Sequence, residues 1–219
     1  MKIYILILTL SWIYSTSYAQ LITIYDNDGY TNVRKKPSIE STIIGKVIEG
    51  QVLSISPSDD ENGNLGWSNV WFQEKPLDKH LHYLKSERVT ASGYIHKSRI
   101  SYLSELPEVT PVHANANKLI FKDEQSAITF EVRPAQQSNE GYADLYLISI
   151  KNSSGTYNLP MEAMAGLRDI HIEQVKVYRG KKKEKFITAT GADGSDSYEI
   201  AWCLKNNKLF SMTVMQTIP

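Results

Sequence analysis

The chain has 219 residues, with 24 Lys and Arg against 24 Asp and Glu, 42% hydrophobic residues and one cysteine. Balanced charge argues against a nucleic-acid partner, whose phosphates demand a strongly basic face. The lone Cys203 excludes an internal disulfide, so stability must come from packed cores.

Lys2 precedes an almost wholly apolar run from Ile3 to Tyr14, followed by Ser17-Tyr18-Ala19, which places small residues where a signal peptidase reads them. Residues 1–19 are expected to be a secretory signal peptide, cleaved after Ala19 to leave Gln20 as an N-terminus able to cyclise. The run falls short of the about 20 apolar residues that a membrane helix needs, and no later segment approaches it. No cysteine at the cleavage site offers a lipid anchor. An exported protein, periplasmic or secreted, is therefore expected, with no stable membrane insertion after signal removal. Without residues 1–19 there remain 200 residues carrying 23 basic and 24 acidic side chains, a net charge of −1. That length suits one large or two small domains.

From Leu21 to Leu103 short extended pieces alternate with turn residues. Ile22 and Ile24 alternate with polar neighbours, Asp26-Asn27-Asp28-Gly29 is a turn cluster, and Val33 lies in a short strand before Pro37. Lys46-Val47 leads to Gly50, after which Gln51 to Ile55 is again extended; Trp67 to Phe72 and Gly93 to Ile100 complete the set. Strands this short bury enough surface by curling into a small barrel.

The series Asn32-Val33-Arg34, Pro37-Ser38, Gly45, Val47, Gly50, then Trp67 and Val70, then Gly93-Tyr94-Ile95-His96 and Ser98 resembles the bacterial SH3-like (SH3b) domain over residues 20–103. The resemblance implies a small barrel that recognises cell-wall peptide or a protein partner in the bacterial envelope. This chain departs from the family pattern by an insertion at 73–92 where a brief hairpin is usual, and long loops in compact domains are commonly functional.

Residues 104–118 carry two prolines and little periodicity, which reads as a linker. Residues 119–219 are expected to form an antiparallel β domain. Ile128, Phe130 and Val132 face one way, Ala143 to Ile150 is nearly continuous in apolar residues, and Val175 and Val177 pair through "RGKKKE" with Phe186 to Thr190. Tyr198, Ile200, Trp202 and Leu204 alternate up to a turn at Asn206-Asn207, then Phe210, Met212 and Val214 return. "NLPMEAMAGL", with Pro160 near its start and Gly166 near its end, predicts one short helix. The fold class is thus mainly β: an SH3-like barrel followed by an antiparallel domain with one helix.

Catalysis is not expected. Cell-wall peptidases that accompany SH3-like domains use a Cys-His pair with the His following the Cys, whereas all five histidines here precede Cys203, which lies in a strand pattern. His80 and His82 supply too few ligands for a structural zinc site, which takes about four. "GADGSDSYE", Gly191 to Glu199, lacks the spacing of a calcium loop and reads as turn chemistry; Lys181-Lys182-Lys183 reads as a solvated hairpin tip. His96 is expected to hydrogen-bond within the barrel. No metal and no cofactor is implied. Aromatic rings with polar tips suit peptide or glycan ligands, which selects Tyr30, Trp71, Tyr83 and Tyr94 as candidate ligand-binding residues. Trp71 leads because alternation sends it outward if Val70 and Phe72 point in. The rival reading is a cell-envelope enzyme with its site in the C-terminal domain.

Overall fold

The computed structural model describes residues 20–55, 66–72, 82–86, 91–134 and 143–216. The expected signal peptide and His80 lie outside these residues. The described chain is mainly β and forms three sheets, and none of its helices is long and apolar enough to cross a membrane.

The first sheet gathers β1 (Gln20–Ile24), β2 (Tyr30–Arg34), β3 (Ile43–Ile48), β4 (Val52–Ile55), β5 (Trp67–Phe72), β7 (Ala91–His96) and β8 (Ile100–Tyr102). Their order is β3-β2-β7-β5-β4-β1-β8. One face is apolar: Ile22, Ile24, Val33, Leu53, Val70 and Ile95 belong to one buried cluster, together with Val47 and Phe72. Gly45 on β3 lies so close to Phe72 on β5 that a methyl group built on it would fall 2.2 Å from the ring. Three steps separate those strands in the sheet, about 14 Å if it were flat, so the sheet curls tightly over its core. The expected closed barrel is not reached among the described residues: β3 and β8 remain edges. At β3 a bulge opposite Val33 and Arg34 ends regular pairing and leaves Ile43 and Ile44 exposed.

The C-terminal half is a sandwich. One sheet runs β13-β12-β11-β10-β9, with β9 (Pro111–Asn115), β10 (Lys118–Lys122), β11 (Ser126–Pro134), β12 (Ala143–Asn152) and β13 (Gly155–Asn158). The other runs β14-β15-β16-β17-β6, with β6 (Leu84–Ser86), β14 (Lys176–Arg179), β15 (Lys185–Gly191), β16 (Tyr198–Lys205) and β17 (Lys208–Gln216). Phe121, Phe130 and Ile148 of the first meet Ile187, Ile200 and Trp202 of the second. Asn206 and Asn207, with φ of 52° and 59°, make the tight β16–β17 turn that needs two left-handed residues.

Three expectations are corrected. "NLPMEAMAGL" forms a single 3-10 turn at Met161–Ala163 instead of a helix. Pro160 and Gly166 bracket too few residues to offset helix nucleation, and the Ala163 carbonyl accepts a hydrogen bond from the buried Trp202 indole at 2.9 Å. The segment 104–118 is not a free linker: Leu106 and Val109 are buried, Val109 N–H donates to the Val177 carbonyl at 2.8 Å, Arg179 N–H donates to the Pro107 carbonyl at 2.8 Å, and β9 pairs with β10. The insertion is in part structural, since β6 extends the C-terminal sheet by pairing parallel to β17, and Tyr83 is buried in the sandwich core.

The two halves share a third core. Leu21, Val52, Leu103 and Leu106 pack on Phe186, Tyr178, Ala201, Cys203 and Met215 on the outer face of β14 to β17. Alternation explains it: on β16, Ile200 and Trp202 face the sandwich interior, so Ala201 and Cys203 face the first sheet. The Ser211 hydroxyl donates to the Gly50 carbonyl at 2.6 Å and the Thr213 hydroxyl to the Val52 carbonyl at 2.9 Å, both in buried positions. The Lys181–Lys183 tip is not simply solvated: Lys181 N–H donates to the Tyr25 hydroxyl at 2.9 Å, and Lys182 pairs with Glu49 at 2.9 Å.

Candidate functional site

The outward face of the first sheet is built by alternation on β5 and β7. Trp67, Asn69 and Trp71 lie opposite His96, Tyr94 and Ser92 in register, and Arg34 lies beyond Tyr94 on β2. Val70 and Phe72 are buried while Trp71 is 43% exposed, as that alternation requires. Trp67 meets the His96 ring edge-on at 5.3 Å, and His96 in turn caps the following turn, its Nδ1 2.8 Å from the Ser98 hydroxyl. Asn69 Oδ1, between the two tryptophans along the strand, is buried without a hydrogen-bond partner among the described residues.

The selected aromatics separate. Trp71 and Tyr94 share this face as a diagonal pair, two residues out of direct register on neighbouring strands. Tyr30 is 36% exposed at the far end of β2, with the Lys46 ammonium 3.7 Å above its ring. Tyr83, at 4% exposure in the sandwich core, presents no ring at the surface, because the insertion turns back to add a strand to the other domain.

A second feature lies where the halves meet. A cleft of about 550 Å³ opens between the end of β1 and the turn after β8 on one side, and β15, β16 and the 191–197 loop on the other. Leu21, Leu103 and Tyr178 supply apolar wall, Thr188 and Thr190 supply hydroxyls, and Glu199 supplies a carboxyl. Glu199 pairs in register with Thr190 and Met215, on the same face of β16 as Ala201 and Cys203. Burial raises its pKa from the ordinary value of 4.5 to about 7, and it has no ion-pair partner among the described residues. At the rim, His171 Nε2 is 3.6 Å from Asp193 and its Nδ1 is 3.7 Å from Glu173. The Tyr198 hydroxyl donates to the Arg168 carbonyl at 2.7 Å and the Thr190 hydroxyl to Gln174 at 2.6 Å, which hold the cleft walls.

Glu199 was hidden in a stretch whose glycines and aspartates read as a turn. Its signal was the second face of β16, Glu199-Ala201-Cys203, where two small apolar residues mark burial and a carboxyl sits at the end of that buried row. Cys203 is wholly buried, and burial pushes its thiol pKa well up, the opposite of what a nucleophile requires. Among the described residues no group of His, Cys, Asp and Glu is arranged to hold a metal ion. Comparison with protein-family models, curated proteins and solved structures finds no match to the chain.

Proposed function

We propose that the protein is an exported, non-catalytic binding protein of the bacterial envelope, whose N-terminal half is an SH3-like module recognising cell-wall peptide. What supports the SH3-like reading is the ordered set of residues from Asn32 to Ser98, together with a short-stranded sheet that curls over one core. The observation that carries the binding reading is the outward placement of Trp71 on a face shared with Trp67 and Tyr94. A rigid aromatic row between polar side chains stacks on a peptide backbone or sugar ring at low entropic cost. A protein partner of the envelope would use the same face.

The test is sedimentation of the protein with purified peptidoglycan. Trp71→Ala is expected to weaken binding by about 1–3 kcal/mol with the fold intact, the cost of removing an interface anchor. Val70→Ala is the contrasting variant: it removes buried volume, costs about 2 kcal/mol of stability and leaves the binding surface in place. Pull-down of an envelope protein without peptidoglycan binding would shift the ligand to a protein. Loss of stability in Trp71→Ala with unchanged binding would sink the aromatic-face reading.

The enzyme reading draws on one observation, a carboxyl titrating near 7 in a cleft, as a general acid or base would. Beside Glu199 the lining holds Asp193, placed 3.6 Å from His171 at the rim, and the Thr188 and Thr190 hydroxyls, the latter donating to Gln174. With the histidine and the second carboxylate turned to each other at the rim, Glu199 fits ligand recognition better than bond cleavage.

A further inference from the structure

We propose that the cleft between the two halves is a second binding site, separate from the aromatic face, and that it takes an organic ammonium group carried on an apolar stem, with Glu199 as the counter-charge.

The protein has 24 Lys and Arg residues, and none of those among the described residues lines this cleft. Its ionisable groups are Glu199 on the floor strand, Asp193 and His171 at the rim, and the phenols of Tyr178 and Tyr198. His171 is already placed between Asp193 and Glu173, so its charge, when present, is answered there and not at Glu199. Two other clefts show the contrast: both are lined by lysines, Lys182, Lys183 and Lys205 in one, Lys181, Lys183 and Lys185 in the other. Two other acids shielded from solvent have a cation, while the buried Glu184 is met by the Lys182 backbone N–H instead. Asp123 is held by Lys185 at 3.0 Å, and Glu49 by Lys182 at 2.9 Å. Glu199 has none among the described residues, and the cost of burying it alone shows in its raised pKa. A cation entering from solvent removes that cost.

The chemistry of the cation follows from the rest of the wall. A divalent metal needs several hard oxygens converging on one point, and no such group exists among the described residues. Leu21, Leu103 and Tyr178 instead offer apolar and aromatic surface, which suits an alkyl stem and favours a cation near a ring face. The hydroxyls of Thr188 and Thr190 lie on the face that Glu199 shares, available to an ammonium's remaining protons. A volume of about 550 Å³ holds a ligand larger than a single amino acid side chain.

The experiment is a titration with n-hexylamine, n-hexanol and hexanoate at about pH 8, where Glu199 is ionised and the amine is still charged. Binding is read by ligand-observed NMR. The exported chain is used with Gln20 cyclised to its uncharged lactam, so that no terminal ammonium competes at the rim. The amine is expected to bind about tenfold more tightly than the alcohol, with the carboxylate weakest, which is the preference one charge-assisted contact gives. Glu199→Gln, isosteric and uncharged, should bring amine and alcohol to equal affinity. Ser104→Trp, a change at an exposed position on the opposite wall, should abolish both by filling the cleft while leaving the carboxyl in place. Equal affinity for amine and alcohol in the unmodified chain overturns the proposal, as does undiminished amine binding in Ser104→Trp. Should Glu199→Gln fail to fold, the Ser104→Trp result decides.

Discussion

Removing the two hydroxyls of Ser211 and Thr213 tests whether the halves of the protein unfold as one. In the Ser211→Ala, Thr213→Val variant each side chain keeps its approximate volume, while the Gly50 and Val52 carbonyls lose donors at 2.6 and 2.9 Å in buried positions. A buried acceptor left without its donor costs about 1–3 kcal/mol, so the pair should cost about 2–5 kcal/mol, with less than full additivity because the residues share one strand. At a urea dependence of about 2 kcal/mol per molar, the midpoint should fall by about 1–2.5 M. Trp202 reports on the sandwich and Trp67 and Trp71 on the first sheet, so fluorescence and far-UV circular dichroism sample both halves. One transition is expected in the parent, because the shared core of Leu21, Val52, Leu103, Phe186 and Met215 is apolar and continuous with both. The reasoning is refuted if the parent already shows two separate transitions, or if the double variant loses less than about 0.5 kcal/mol, the range of an ordinary surface change.

Other outcomes follow from the same contacts. Burial raises Glu199 from 4.5 to about 7, so the folded state holds a proton that the unfolded chain releases between those values; stability should be full below pH 4.5 and fall by up to about 3 kcal/mol as pH rises through 7. Glu199→Gln should flatten that slope in denaturation measured across the range, and an unchanged slope would place the titrating group elsewhere. Cys203 should resist a thiol-labelling reagent until the protein unfolds, since it is wholly buried with its thiol pKa pushed up; rapid native-state labelling would contradict the packing. Limited proteolysis should spare residues 104–115, whose backbone is hydrogen-bonded to β14 and β10, and early cleavage there mapped by mass spectrometry would restore the linker reading.

Alternation made the inside and outside of single strands legible in the sequence. Val70 and Trp71, or Phe130 and Glu131, separate by the pleat alone, because one residue's shift reverses the face. Short-range turn chemistry was legible too, as at Asn206-Asn207, where two residues tolerant of positive φ fix the hairpin. What alternation cannot register is a strand with both faces buried. On β16 every residue from Ile200 to Leu204 is buried, three toward the sandwich and two toward the first sheet. Such a strand shows where cores lie only once its neighbours are placed. The same limit hid the role of the insertion and of the proline-bearing connector, since a segment of low periodicity is either free or stitched to a distant strand, and only the partner decides. Tyr83 illustrates the cost: an aromatic in an inserted loop looked like a ligand contact and is instead a core residue of the other domain.

That second buried face is also what creates the cleft. A sandwich sheet covered on one side alone would leave Glu199 in water, with an ordinary carboxylate's preference for charge. Docking the first sheet over Ala201, Cys203 and Met215 dries most of the outer face, but the cover ends at β1 and the Leu103–Glu105 turn, short of Thr190 and Glu199. The carboxyl is therefore caught at the margin, desolvated by the covering module yet reachable from its edge. A binding site formed this way depends on both halves at once, so any change that loosens the shared core should weaken the cleft before it unfolds either sheet. For the Ser211→Ala, Thr213→Val variant this means that amine affinity should drop at urea concentrations where the Trp202 signal is still native, and retention of full affinity up to the unfolding transition would show that the two halves do not form the site together.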